Sequence, residues 1–329
     1  MRAAPIALVP ALLLVACQEQ LGSEIVIETD ELPGGRVAMD YSTQLSCVDE
    51  ADDPLWEVIS GELPPGLSLS DDGLLDGAPA GSGEFVFEVA VDDGLGDDVA
   101  ELSIHVPDVV LLSGFEPFGG YETNPSWDAL VPLDEVLLAG LDLRVIEIPV
   151  EWDVSWELLL AEIERLDPLA VIGTGMADTD AMRYELRARN LENYTDNAGV
   201  TAWNEPVVEG AESELFTDLP VEVMAAAVEV GGLTTVTSSD AGSFLCNHIF
   251  YHLTHYEQVE AEDPPLTGFI HVPPAPFAGT FAVEDVTTAH ELGLEALAGW
   301  LAGERRRSGD APDTAAAPTY HLSRSAPPR

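Results

Sequence analysis

The segment VVLLS at positions 109–113 is continuously apolar, which is typical of a β-strand that is buried on both faces of a sheet. Similar short runs follow at 143–150, 170–173 and 234–237. Helical patterns lie between or after these runs, at 155–166, 220–230, 246–256 and 287–302. Because strands and helices alternate, residues 108–303 are predicted to form an α/β domain with a largely parallel sheet flanked by helices.

Residues 24–106 have a different pattern, because apolar and polar residues alternate at 24–28, 84–91 and 100–106. Turns rich in Pro, Gly and Asp separate these stretches. Short alternating strands at this spacing predict a small all-β sandwich. The run from Trp56 to Phe87, which contains Leu-Pro-Pro-Gly-Leu at 63–67, resembles the immunoglobulin-like modules of bacterial surface proteins. No catalytic pattern occurs in this region, and we interpret it as a spacer or contact module.

The two ends of the chain carry patterns that lie outside both domains. A charged start, an apolar stretch at 3–16 and the sequence Leu-Val-Ala-Cys at 14–17 resemble a bacterial lipoprotein signal peptide, in which Cys17 is lipidated. Residues 18–23 are predicted to form a tether. The protein is thus predicted to be exported and lipid-anchored to a membrane, facing the periplasm or the cell surface. An ordinary secretory signal is the alternative. Residues 304–329 are predicted to form a disordered tail.

The charge balance is strongly acidic, with 60 Asp and Glu against 12 Lys and Arg and a formal net charge of -48. No Lys is present, so all of the basic side chains are Arg. Since no basic patch is available to meet phosphates, nucleic acid is excluded as a partner. The acidic side chains are spread along the chain and predict a solvated surface suited to salt, although biased base composition would deplete Lys in the same way.

Of the three Cys residues, Cys246 has the setting of a nucleophile. It follows a turn of small residues at 238–243 and precedes an apolar helical pattern. A thiol at a helix N-terminus is favoured as thiolate, and the free N–H groups there can hold an oxyanion. Cys47 lies in an alternating stretch and is interpreted as a buried strand residue. A disulfide between Cys47 and Cys246 is the alternative that an oxidising compartment would allow.

His271 ends the apolar run at 267–270, and the C-terminal ends of strands are where the sites of α/β sheets collect. A His in that place can deprotonate a thiol and later protonate the leaving amine. His248 lies two residues after Cys246, so on a helix the two side chains point to different sides. We therefore interpret His248 as a packing residue.

Three segments in this order resemble the pyroglutamyl peptidase I family of cysteine exopeptidases: GFEPFGG at 114–120, AGSFLCNH at 241–248 and GFIHVP at 268–273. The resemblance extends over about residues 109–305. It implies that Cys246 is the nucleophile, that His271 is the acid and base, and that Glu185, in ELRARN at 185–190, orients His271. It also implies that Phe115 and Phe118 flank the flat pyroglutamyl ring, with Phe244 lining the same pocket.

Two positions depart from the family pattern. Thr174 stands where the family has a Gln, and Asn193 stands where the family has an Arg that supports the oxyanion region. Thr174 and Asn193 are expected to lie among the substrate-binding residues, and Arg183, Arg187 or Arg189 could replace the missing Arg.

The prediction is thus a cysteine exopeptidase that removes an N-terminal pyroglutamyl or related small blocked residue from peptides. Two alternatives stay open: a surface lipoprotein that has lost catalysis and binds a peptide or partner, and a cysteine hydrolase of another small amide. No metal or cofactor is expected, because the His and acidic residues lack zinc spacing and a thiolate needs no metal. The expected partners are a peptide with a blocked N-terminus and, through the lipid, a membrane; the oligomeric state stays open.

Overall fold

The computed structural model describes residues 25–48, 54–94, 96–274 and 281–308. These residues form a β-rich N-terminal region and an α/β region, with the change at Pro107. The expected signal peptide at 1–17, including Cys17, the tether at 18–23 and most of the expected tail lie outside the described residues, so these assignments stay predictions. Within the described ranges, no helix combines the length and the apolar character that a bilayer-crossing segment requires.

The N-terminal region is built from antiparallel strands, as its alternating pattern predicts. The strands are β1 (Val26–Ile27), β2 (Tyr41–Gln44), β3 (Cys47–Val48), β4 (Leu55–Gly61), β5 (Leu67–Leu69), β6 (Leu74–Gly77), β7 (Gly83–Asp92) and β8 (Asp97–Val106). They form a β1-β3 pair and two three-stranded sheets, β2-β6-β5 and β4-β7-β8. Side chains from both three-stranded sheets, among them Leu75, Trp56 and Phe87, share one core. The likeness to an immunoglobulin-like module stays a prediction.

The α/β region contains a seven-stranded sheet in the order β10-β11-β9-β12-β19-β13-β18. Its strands are β9 (Asp108–Phe115), β10 (Leu137–Leu138), β11 (Leu141–Ile148), β12 (Ala170–Met176), β13 (Met182–Glu185), β18 (Thr235–Ser238) and β19 (Leu266–Val272). Four neighbouring pairs are parallel, whereas β10 with β11 and β13 with β19 are antiparallel. The sheet is therefore largely parallel, as predicted. The antiparallel pairing of β13 with β19, called the antiparallel step below, positions residues of the site.

Helices cover both faces of this sheet. They are α1 (Pro125–Asp128), α2 (Val154–Leu166), α3 (Val221–Val230), α4 (Leu245–His255), which continues as a π-helical turn (Tyr256–Glu260), and α5 (Val283–Ser308). Val109 and Leu111 of β9 join the core formed with α2 and α4, and Val110 and Leu112 join the core formed with α1, α3 and α5. Successive strand residues point to opposite faces, so a strand covered on both faces must be apolar throughout.

Helix α5 extends further than the sequence pattern predicts. It includes residues 304–308, which the composition assigns to the disordered tail, so that boundary is wrong by a few residues. Arg305 in its last turns forms an ion pair with Asp108 at the start of β9. This contact with the sheet stabilises the end of the helix.

Two short antiparallel strand pairs lie outside the main sheet. Strands β14 (Arg187–Arg189) and β17 (Glu214–Phe216) pair antiparallel, and β15 (Glu192–Thr195) pairs with β16 (Thr201–Glu205) in the same sense. The backbone N–H of Asn193 donates to the carbonyl of Ser243, in the turn before α4, at 2.7 Å. This bond fixes the β15–β16 hairpin against the turn that leads to Cys246.

A buried charge network joins the N-terminal region to the α/β region. Asp142 in β11 is fully buried and accepts hydrogen bonds from Arg36 and from Arg144, whose Nε and Nη2 lie 3.0 and 2.9 Å from the two carboxylate oxygens. Arg144 also donates to the carbonyl of Val37 at 3.1 Å. Burial raises the pKa of Asp142, but hydrogen bonds from Arg36 and Arg144 outweigh burial and hold the pKa below its ordinary value.

Replacement of Asp142 by Ala is expected to lower the free energy of unfolding by about 3–5 kcal/mol, because it leaves the buried guanidinium of Arg144 without its counter-charge. Urea unfolding measures the loss. Glu162→Ala, which removes only the surface partner of Arg165, is the control and should cost less than about 1 kcal/mol.

The same substitution has a pH signature. Because the folded-state pKa of Asp142 is lowered, its stabilisation is present above the unfolded-state pKa of an Asp and is lost as the pH falls through the folded-state pKa. The difference in stability between the wild type and Asp142→Ala should therefore shrink on acidification. Equal losses for Asp142→Ala and Glu162→Ala at neutral pH would contradict a structural role for the network.

Candidate active site

A cavity of about 450 Å³ opens where β12 and β19 end and α4 begins. It brings together side chains from the main sheet, the first turn of α4, the turn before that helix and the two neighbouring strand pairs. Its lining residues are Phe118, Met176, Ala177, Arg183, Arg189, Tyr194, Asp240, Ala241, Gly242, Ser243, Phe244, Cys246 and His271. Of the residues predicted from sequence, the structure brings Cys246, His271, Phe118 and Phe244 to this cavity.

Cys246 is the second residue of α4, which begins at Leu245 after Phe244 as the N-cap. No side chain caps this helix end, so the first N–H groups of α4 have no side-chain acceptor at the N-cap. The position at a helix N-terminus predicts a lowered thiol pKa. Instead burial, reinforced by the negative charge of Glu185, raises the pKa of Cys246, and the positive charge of Arg183 offsets only part of this. The resting thiol therefore keeps its proton and needs a base to react.

That base is provided by a buried pair on β19 and β13. Nδ1 of His271 lies 2.8 Å from Oε1 of Glu185, and both side chains are almost completely buried. In the antiparallel register, Glu185 is paired with Phe269 and Arg183 with His271. Residues two apart share a face of a strand, so Glu185 reaches His271 diagonally. The antiparallel step in the sheet thus places the carboxylate beside the imidazole.

The protonation states of this pair follow from their surroundings. Burial raises the pKa of Glu185, but the hydrogen bond from His271 and the positive charge of Arg183 oppose burial, and the pKa is lowered. Burial lowers the pKa of His271, Glu185 opposes this, and the net direction is down. Glu185 is therefore a carboxylate and His271 a neutral imidazole. Nδ1–H donates to Glu185, which leaves Nε2 as the nitrogen that can accept a proton.

Gly175 in β12 lies next to both Cys246 and His271. It is the register partner of His271 in the parallel β12–β19 pair. A Cβ at position 175 would lie 2.6 Å from Sγ of Cys246, so the thiol packs directly over this glycine. The nucleophile and the base thus lie over neighbouring strands and open to one cavity. Sequence reasoning misses Gly175, although a glycine within a buried strand is a signal of close approach.

Aromatic rings form one wall of the cavity. Phe118 and Phe244 line it with ring centroids 6.3 Å apart, and Trp152 and Tyr194 meet Phe244 edge-on at 5.4 and 6.2 Å. Phe115, expected beside Phe118, is 2% exposed, packs in the core and is not among the lining residues. It is the last residue of β9. Because that strand is covered on both faces, the side chain of Phe115 packs in the hydrophobic core.

The two residues that depart from the family pattern do not reach the cavity. Oγ1 of the fully buried Thr174 lies 2.9 Å from the carbonyl oxygens of Ser113 and Ser126. Its hydroxyl therefore donates to backbone carbonyls of β9 and α1. Oδ1 of Asn193 accepts from the backbone N–H of Asn204 at 2.9 Å within the β15–β16 hairpin. Both polar side chains are thus held in structural hydrogen bonds away from the lining.

The three Arg residues considered as replacements differ in position. Arg183 and Arg189 line the cavity. Arg189 is held by Asp240 at 2.7 Å and by the carbonyl of Gly242 at 2.8 Å. Arg187 instead binds Glu214 and the carbonyl of Ser239. Two guanidinium groups are therefore available at the site, from β13 and β14.

The remaining candidates lie apart from the cavity lining. His248 is fully buried, with Nδ1 2.6 Å from Oε1 of Glu192 and its ring against Trp152, which agrees with packing. Cys47 lies in β3 of the N-terminal region, and no disulfide joins it to Cys246. Over the described ranges, the His, Cys, Asp and Glu side chains form no group of three or more that could hold a metal ion.

An α/β sheet that presents a Cys at a helix N-terminus to a buried His–Glu pair defines the class of cysteine hydrolases. The pyroglutamyl peptidase family model matches residues 108–295. The chain therefore belongs to the pyroglutamyl peptidase family of cysteine exopeptidases, and its α/β region is the part that matches.

Individual relatives agree with this assignment. The pyrrolidone-carboxylate peptidase of Erwinia tasmaniensis is 36% identical over 170 residues, which cover 51% of this chain and 78% of the relative. That of Clavibacter michiganensis is 37% identical over 169 residues, covering 50% and 78%. Among solved structures, pyroglutamyl peptidase I from Bacillus amyloliquefaciens superimposes with a TM-score of 0.56 at 28% identity, covering 58% of this chain and 95% of that chain.

Replacement of Gly175 by Ala is expected to lower kcat/KM for an amide substrate about 100-fold, because the new methyl group would displace the thiol by roughly 1 Å. Hydrolysis of a fluorogenic amide measures the effect. Gly299→Ala is the matched control, since position 299 in α5 has open space around it; it should keep activity and stabilise the helix by up to about 1 kcal/mol. Full activity in folded Gly175→Ala would mean that the thiol does not depend on this packing.

Proposed function

We propose that this protein removes an N-terminal pyroglutamyl residue from peptides, with Cys246 as the nucleophile, His271 as the acid and base and Glu185 as the residue that orients His271. The observation that carries the proposal is the buried hydrogen bond of 2.8 Å between His271 and Glu185, at the cavity into which Cys246 opens. Membership of the pyroglutamyl peptidase family supports the substrate class.

The first step is attack of Sγ of Cys246 on the carbonyl carbon that links the pyroglutamyl residue to the next residue. Because the thiol keeps its proton at rest, Nε2 of His271 takes this proton as the sulfur–carbon bond forms. Glu185 stabilises the resulting imidazolium through its carboxylate. The oxygen that becomes negative is stabilised by the uncapped N-terminus of α4.

The second step breaks the amide bond. The imidazolium of His271 gives its proton to the leaving nitrogen, so the shortened peptide departs with a free amino group and a thioester remains on Cys246. A water molecule then attacks this thioester with His271 as the base, which releases pyroglutamate and restores the thiol. Every proton in the cycle passes through one imidazole nitrogen, so the orientation of the ring by Glu185 is essential.

The cavity suits a small, flat and uncharged ring. Phe118 and Phe244 provide aromatic faces, against which a lactam ring can pack. The turn at 240–243 supplies backbone groups next to Cys246, which can meet the polar edge of the lactam. Thr174 is not part of this proposal, since its hydroxyl is held by two backbone carbonyls.

The direct test is release of a fluorogenic amine from a pyroglutamyl amide under reducing conditions and over a range of salt. Turnover is expected in the wild type and should vanish in Cys246→Ala, because no other group replaces the sulfur nucleophile. Cys47→Ala is the matched control and should keep full activity, since Cys47 lies in β3 outside the α/β region. Absence of turnover in folded wild-type protein would reject pyroglutamate as the substrate, and a panel of other small amides would then separate a different hydrolase from a binding protein.

The two Phe residues allow a second test. Phe118→Ala is expected to raise KM for the pyroglutamyl amide about tenfold, a loss of about 1.4 kcal/mol of binding, because it removes an aromatic face from the cavity. Phe115→Ala should instead leave KM unchanged and lower the free energy of unfolding by about 3–5 kcal/mol, as deletion of a core Phe does. Steady-state kinetics and urea unfolding separate the two outcomes, and a raised KM in Phe115→Ala alone would reverse the assignment.

A further inference from the structure

Arg183 occupies an unusual position beside the proposed His–Glu pair. It stands directly opposite His271 in the antiparallel register of β13 and β19. Its Nε donates to Oε1 of Glu185 at 2.9 Å, and its Nη2 lies 3.3 Å from Nδ1 of His271. One guanidinium therefore contacts both members of the pair, while the side chain also lines the cavity.

Oε1 of Glu185 accepts hydrogen bonds from two donors. Nδ1–H of His271 approaches at 2.8 Å and Nε–H of Arg183 at 2.9 Å. A guanidinium has a rigid planar fork, so it fixes the carboxylate in the orientation that the imidazole needs. The same guanidinium puts a positive charge beside Nδ1, which opposes a second positive charge on the ring.

The other charged groups near His271 do not duplicate this effect. β13 contributes Glu185, whose negative charge acts in the opposite sense, and α4 contributes the thiol of Cys246. Arg189 and Asp240 line the same cavity but are hydrogen-bonded to each other. β12 places the uncharged Gly175 and Met176 next to His271 and Val272. Among the described cavity residues, Arg183 is the cation within hydrogen-bonding distance of the imidazole.

We propose that Arg183 is a positioning residue of the reaction: it holds Glu185 in place and, together with burial, keeps His271 neutral between turnovers. His271 then rests with Nε2 free to accept the proton of Cys246, and the thiolate forms only during attack on the substrate. This role rests on the proposed function of Cys246, His271 and Glu185. It sets the acidic limit of activity, because a His271 that is protonated at rest cannot act as the base.

The test uses three variants of the full-length protein. Arg183→Gln keeps hydrogen-bond donors next to Glu185 but removes the charge, and Arg183→Lys keeps the charge but removes the fork. Arg165→Gln makes the same change in net charge as Arg183→Gln at a surface pair on α2 and serves as the control. The titration of His271 is followed by NMR of histidine labelled at the imidazole, with the signal assigned by its loss in His271→Gln.

In Arg183→Gln, the pKa of His271 is expected to rise by about one unit, because an opposing positive charge has been removed. Arg183→Lys should stay closer to the wild type, and Arg165→Gln should match it. The acidic limb of kcat/KM for the pyroglutamyl amide should move to higher pH by the same amount in Arg183→Gln, since it reports the protonation of the free enzyme's base.

Several results would overturn the proposal. An unchanged His271 titration in Arg183→Gln, or an equal shift in Arg165→Gln, would show that Arg183 does not control the imidazole. If Arg183→Gln does not fold, Arg183→Met takes its place, and an unchanged His271 titration in that variant would likewise overturn the proposal. A shifted titration without pyroglutamyl amide turnover in the wild type would support Arg183 while rejecting the proposed substrate.

Discussion

The close approach of α4 to the sheet is the constraint on which the rest of the site depends. Two glycines of β12 make it possible: a Cβ at Gly173 would lie 3.3 Å from Cγ2 of Ile249 in α4, and one at Gly175 would lie 2.6 Å from Sγ of Cys246. Because β12 has no side chains at these two positions, α4 packs directly against it. The thiol is thereby brought beside the strand that carries His271, and it is buried enough that its pKa is raised.

The burial of the thiol determines when its proton is transferred. A raised thiol pKa makes a resting thiolate unfavourable, so catalysis has to move the proton at the moment of attack. The His271–Glu185 pair provides this step because the antiparallel insertion of β13 next to β19 puts a carboxylate diagonally opposite the imidazole. Arg183 lies on β13 as well and contacts both members of the pair. A single topological feature of the sheet thus supplies both the residue that orients the base and the proposed residue that keeps it neutral.

Arginines also hold the acidic chain together elsewhere. In a protein with a formal net charge of -48, the fully buried Asp142 is neutralised by Arg36 and Arg144 from both regions, and Asp108 pairs with Arg305. Burial of a carboxylate without a partner would be strongly unfavourable. The β-rich region is consequently joined to the α/β region by hydrogen bonds to charge and not only by apolar packing.

The amino-acid sequence was enough to predict the strand and helix alternation, the all-β character of 25–106, and the motifs around Cys246, His271 and Glu185, because periodicity and local motifs are recorded in neighbouring residues. It could not determine that Phe115 turns into the core while Phe118 lines the cavity, or that Thr174 bonds to the backbone of Ser113 and Ser126. Nor could it show that Arg183 faces His271 across 88 positions of chain. These facts depend on strand register and on which face each side chain takes, and both are decided only when distant segments pack together.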